Sequence, residues 1–216
     1  MGMEISDHMP RPGTGKARGG APTLTASDWA EAALQLIAEQ GLGALTVSTL
    51  AARLGVTKGS FYWHFAGRSE LLAAALDRWE QRSTTETIRG LDAVTDSHAR
   101  LALMLDAAAQ PPRSRSLYAA LAEAAEDPVV QRVLHRVAAA RIDYLEACYA
   151  DLGYAPAAAQ AHAVLAYAAY RGVLQLAHEA AASLPKEWAP YRDVLRAALL
   201  PPAAAGKGAR RRRSQR

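Results

Sequence analysis

Cysteine is almost absent. Cys148 stands alone in 216 residues, so no internal disulfide staples the chain, and the composition fits a reducing cytoplasm. Phenylalanine occurs twice and runs of β-branched residues are scarce, while alanine and leucine dominate. That balance favours helices. No apolar run approaches the ~18 residues of a membrane span. The most apolar stretch, 156–183, is interrupted by His162, Arg171, Gln175, His178 and Glu179. The segment Met1 to Gly20 is polar, with proline and glycine, and lacks a signal peptide's apolar core. The expectation is a soluble, helical protein, long enough for one large or two small domains.

Acid is missing from one interval. Between Gln40 and Ser69 there is no Asp or Glu, whereas Arg53, Lys58 and Arg68 are present. The formal net charge of +4 conceals this, because Lys207, Arg210, Arg211, Arg212, Arg213 and Arg216 all lie in the last ten residues. Without those six charges, residues 1–206 carry −2. A local basic patch on a mildly acidic body suits a small DNA-reading surface. Taken alone, such an interval is also an ordinary gap in the acids.

Metal and enzyme signatures are missing too. His98, His135, His162 and His178 are scattered at no metal-ligand spacing, and there is no Gly-rich phosphate loop, nucleophile elbow or Cys/His cluster. No catalytic or metal-ligating residue and no cofactor is expected.

What is present is a motif at Thr46 to Phe65, TVSTLAARLGVTKGSFYWHF. Thr46 can cap a helix whose apolar stripe is Val47, Leu50, Ala51 and Leu54. Gly55 can take the left-handed conformation that stops it. Val56 packs into the corner and Thr57 is placed to cap a second short helix. A helix–turn–helix delivers its second helix into the major groove, though the same geometry occurs as plain packing. The second helix opens Thr57-Lys58-Gly59-Ser60, offering hydroxyls, an ammonium and free amides at the positive end of a helix dipole. Five rings follow in a row, Phe61 to Phe65. They cannot all be buried on one short helix. Phe61 and Phe65, four apart, go to the core, leaving Tyr62, Trp63 and His64 toward solvent or a partner.

Elsewhere, residues 1–24 read as a disordered leader, in which Arg11, Lys16 and Arg18 could touch phosphate. Helices are expected near 27–40, with Ser27 or Thr25 as cap, and 68–91. Five more fall near 97–109, 115–125, 128–152, 156–183 and 186–200. Asp127-Pro128, Pro156 and Pro185 mark helix starts. Residues 203–216 read as a disordered basic tail. The fold class is all-α, of about nine helices, divided into a helix–turn–helix domain (25–68) and a helical body (69–202).

Residues 27–80 resemble the N-terminal domain of the TetR family of bacterial transcriptional repressors. The resemblance rests on LTVSTLAARLGVTKGSFYWHFAGRSELL and on the preceding Ala38-Glu39-Gln40-Gly41. It implies that Thr46 and Arg68 bind phosphate, that Thr57, Lys58 and Ser60 face bases and phosphates, and that Tyr62 and His64 grip the backbone. Trp63 occupies a variable aromatic position, and Arg68 stands where the family often has lysine. The family implies a cytoplasmic, nucleoid-associated homodimer that binds a palindromic operator in double-stranded DNA and is released by a small-molecule effector. The last two long helices would join the dimer through Ala161, Leu165, Ala168, Gly172 and Leu176, and through Trp188, Tyr191, Val194, Leu195 and Ala198. Candidate liners of an effector pocket are Met104, Leu105, Tyr118, Leu121, Arg141, Tyr144, Cys148, Tyr167, Tyr170 and Arg171. The competing readings are an enzyme built on the histidines and an architectural DNA binder without effector.

Overall fold

The computed structural model describes residues 24–111 and 117–202. The leader with Arg11, Lys16 and Arg18, the segment 112–116 where the helix expected near 115–125 begins, and the basic tail lie outside these residues.

Among the described residues every regular element is helical. Helix α1 (Ala26–Gln40) begins one residue early because Thr25, and not Ser27, is its cap. Thr25 Oγ1 accepts from Asp28 N at 3.3 Å and Asp28 Oδ2 accepts from Thr25 N at 2.8 Å, a reciprocal capping box. A 3₁₀ turn (Leu42–Ala44) leads to α2 (Val47–Leu54), α3 (Lys58–Phe61) and α4 (Arg68–Glu80). Helix α4 continues through a π-helical turn (Gln81–Thr85) into α5 (Glu86–Asp92), with helical backbone at each junction. The rod expected over 68–91 therefore exists, but it carries a π insertion in the middle. Such insertions shift the phase of side chains beyond them.

The body is built from α6 (Ser97–Ala108), α7 (Leu117–Glu123), α8 (Pro128–Asp151), α9 (Pro156–Glu179) and α10 (Trp188–Leu199). Two of the three expected start signals operate: Asp127 Oδ1 accepts from Val129 N at 2.9 Å ahead of Pro128, and Pro156 opens α9. Pro185 does not, because α10 begins only at Trp188, after Glu187. Helix α9 ends sooner than the apolar pattern suggested, breaking at Ala180 into a 3₁₀ turn (Ala181–Ser183).

Two apolar clusters hold the molecule. One joins α1 to α4 with Tyr118 and Leu121 of α7 and Val130, Val133 and Val137 of α8. The other joins α6, the second half of α8, α9 and α10, around Tyr149 and Leu101. Tyr149 Oη donates to Leu199 O at 2.7 Å, which anchors the last helix. Burial pushes this phenol up to about 12. None of the described helices is long and apolar enough to cross a membrane.

Candidate nucleic-acid interface and ligand cavity

The turn between α2 and α3 follows directly from its glycine. Gly55 sits at φ 67°, ψ 29°, and the bonds Val56 N to Ala51 O (3.0 Å) and Gly55 N to Ala52 O (3.2 Å) close a Schellman cap. Thr46 caps α2 as its sequence suggested: Oγ1 accepts from Thr49 N at 3.0 Å and lies 2.8 Å from Thr49 Oγ1. Its hydroxyl is exposed at the same helix end.

Helix α3 is one turn long and stops at Phe61, so the dipole expected at its start is slight. Thr57 makes no side-chain cap; instead Ser60 Oγ donates back to Thr57 O at 3.1 Å. The chain then turns so that Phe65 can reach the interior, with Phe65 N donating to Phe61 O at 3.1 Å. Phe61 lies edge-on to Trp29 at 5.5 Å and 5.6 Å from Phe65, both phenylalanines buried. That anchor leaves Tyr62 63% and Trp63 88% exposed, with Tyr62 edge-on to Phe61 at 5.2 Å and His64 half-buried. Thr57 and Lys58 are exposed beside them.

Two cations of the acid-free interval are not available as expected. Arg53 reaches back to α1 and holds Glu39 through two bonds, 2.6 and 2.7 Å. The hydrogen bond from Arg53 keeps the Glu39 carboxyl below its ordinary range. Arg68 donates from Nε to Leu45 O at 2.8 Å and from Nη2 to Leu42 O at 3.2 Å. It ties α4 to the turn before α2, where Leu42 O also accepts from Leu45 N at 3.1 Å. The patch thus presents Lys58 as its cation without a described partner.

A cavity of about 280 Å³ lies in the body, walled by α5, α6, α8 and α9. Met104, Leu105, Arg141, Tyr167 and Tyr170, all singled out in the sequence, line it together. Five others do not. Leu121 is fully buried in the N-terminal cluster. Tyr118 packs on Trp79 with ring centroids 5.7 Å apart, accepts from Arg171 and lies 3.0 Å from Tyr167 Oη. Burial and the Tyr167 contact raise its pKa. Arg171 is stacked on Tyr118, its guanidinium carbon 4.0 Å from the ring centroid. Tyr144 donates to Asp92 at 3.0 Å on the outer side of α8. Cys148 is buried, which pushes its thiol up.

Sequence reasoning missed Thr87, Ile88 and Leu91 of α5, which form one wall. Their signal was the spacing of Thr84, Ile88 and Leu91 on one helical face. The Arg141 guanidinium bridges to this rod, with Nε to Thr84 Oγ1 at 3.2 Å and Nη2 to Ser83 O at 2.8 Å.

Residues 30–75 match the family model for bacterial regulatory proteins of the tetR family. The HTH-type transcriptional regulator SrpR of Pseudomonas putida is 33% identical over 81 residues, which are 38% of this chain and 38% of SrpR. The HTH-type transcriptional repressor DrrR1 of Streptomyces coeruleorubidus is 40% identical over 67 residues, 31% of this chain and 25% of DrrR1. The matched segment spans well under half the length of either relative. Two solved structures share the fold over most of the chain. A transcriptional regulator from Rhodococcus sp. Rha1 has TM-score 0.66 at 22% identity, covering 82% of this chain and 96% of that one. The SmeT–triclosan complex has TM-score 0.61 at 21% identity, covering 82% and 92%. The relatives SrpR and DrrR1 are both transcriptional regulators.

Proposed function

We propose that the chain, whose residues 30–75 match the model for bacterial regulatory proteins of the tetR family, is a homodimeric transcriptional repressor, released from a palindromic operator by a small-molecule effector. Residues 25–68 are its reading domain and 69–202 its ligand and dimer domain. It acts in the bacterial cytoplasm, on the nucleoid when bound. The observation that carries this reading is the exposed pair Tyr62 and Trp63, with Tyr62 edge-on to buried Phe61, beside Thr57 and Lys58. Large rings on rigid anchors are costly to leave in water unless a partner uses them.

Thr57, Lys58 and Ser60 face base edges and phosphates; Thr46, Tyr62, Trp63 and His64 hold the backbone. Arg68 contributes mainly by fixing α4 against the reading domain. Two copies place their α3 helices in successive major grooves, about 34 Å apart.

The surface of the last helices supports the dimer. Among the described residues outside the reading face, and apart from Leu103 at the cavity, the large exposed apolar side chains are Val164, Leu165 and Leu176 of α9 and Val194 of α10. Ala161, Ala168 and Gly172 lie exposed between them on α9 and permit close approach. Helix α10 contributes less than its stripe suggested, because Leu195 turns inward and Trp188 stacks on Tyr191 at 5.6 Å.

Effector binding in the cavity shifts the α4–α5 rod and alters the separation of the two reading heads. The effector acts only by preferring the released state. A mobility-shift titration on DNA upstream of the protein's own gene tests the reading. A specific complex that survives random competitor DNA is expected; a folded dimer with no specific complex at any salt contradicts it.

A further inference from the structure

The cavity's walls are of two kinds. Ile88, Leu91 and Leu103 give an aliphatic side, while Tyr170 and Arg141 give a polar one, and no Asp or Glu lines it. The Arg141 guanidinium is half-buried and pairs with no carboxylate among the described residues. Its bonds go to the Ser83 carbonyl and the Thr84 hydroxyl, and the Tyr170 ring centroid lies 5.7 Å away. Outside the cavity, its guanidinium carbon 5.9 Å from the ring centroid of the lining Tyr167, Arg171 is a second half-buried cation that pairs with no carboxylate among the described residues, and its Nε is buried with no hydrogen-bond partner. A guanidinium in the wall of an apolar chamber with no acidic lining leaves a positive potential that an anion relieves.

Resting on the reading of the chain as a ligand-responsive regulator, we propose that the effector is an amphipathic carboxylate, its head on Arg141 and its apolar body against Ile88, Leu91 and Leu103. A planar carboxylate matches the guanidinium fork. The volume of about 280 Å³ holds roughly nine groups of water size at ~30 Å³ each, which sets a molecule of about ten non-hydrogen atoms.

The head group also falls on a joint. Arg141 is the side chain that fastens α8 to the π turn of the rod leading from the reading domain. A carboxylate competes with the Ser83 carbonyl for the same donors, so occupancy of the cavity and the fastening of the rod are linked through one side chain.

Calorimetric titration of the full-length protein with octanoate, 1-octanol and octylammonium tests the class. Octanoate binds at least about tenfold more tightly than the other two, since a charge-assisted pair is worth that much. Arg141→Gln removes the preference and leaves octanol binding in place, while Arg141→Lys keeps part of it. Octanol or octylammonium binding as tightly as octanoate, an undiminished preference in a folded Arg141→Gln variant, or no binding of any probe overturns the proposal. Release of the upstream DNA is scored separately by mobility shift. Release by octylammonium and not by octanoate overturns the carboxylate class and leaves the regulator reading standing. An octanoate preference in a protein that forms no specific DNA complex sinks the regulator reading instead.

Discussion

On the proposed reading face Lys58 is to supply charge, whereas Ser60 and Tyr62 are to supply shape and hydrogen-bonding groups. Lys58→Ala should weaken binding to specific and random DNA alike and lower the slope of log K against log salt by about one. Ser60→Ala and Tyr62→Ala should cost more on the operator than on random DNA. Equal losses on both DNAs for all three variants would contradict this division. At this scale the sequence tells which chemistry is carried, and not whether it is engaged. Phe61 and Phe65 were assignable to the interior because a four-residue spacing forces them together. The pairing of Arg53 with Glu39 spans 14 residues, and that of Arg68 with Leu42 O spans 26. Neither leaves a local pattern.

The helices owe their ends to caps that local sequence specifies. Gly55 is strained for any residue with a Cβ, since its φ is 67°. Gly55→Ala should cost about 1 kcal/mol in urea unfolding, and a neutral result would show that the turn relaxes. At the start of α1, the hydrogen bonds from Thr25 backbone and side chain hold the Asp28 carboxyl below its usual value. A carboxyl depressed in the folded state stabilises above its unfolded pKa, near 3.9, and loses that contribution as pH falls through the folded value. Asp28→Asn should therefore flatten the decline of stability below about pH 4; an unchanged acid limb would contradict the capping box. The π turn was not legible, because no residue type marks an i→i+5 insertion. Its meaning emerges only when Arg141, 57 and 58 residues away, is seen bonded to it. Helix α3 was likewise drawn too long, since a run of rings does not reveal that Phe65 must turn inward after one helical turn.

For the whole molecule, the all-helical architecture and the order of helices were readable from apolar periodicity and proline placement. The cavity's fourth wall was not, because α7 carries the apolar face that suggested it and spends that face on α1. The exposed stripe on α9 is the feature that a single copy leaves unexplained. Leu165→Glu should convert a species of twice the 23.0 kDa chain mass into monomer in sedimentation equilibrium, with helical content retained. A wild-type protein that is already monomeric at micromolar concentration would remove the dimer from the account.

The central claim, that two copies of the Thr46–Phe65 motif read one palindrome, is tested most directly by a footprint on the DNA upstream of the gene. Two protected half-sites are expected on one face of the duplex, centred about one helical turn or a small multiple of it apart. Protection should vanish with Leu165→Glu and with Tyr62→Ala. A folded, dimeric protein that leaves a single unpaired protected site, or none, would contradict it.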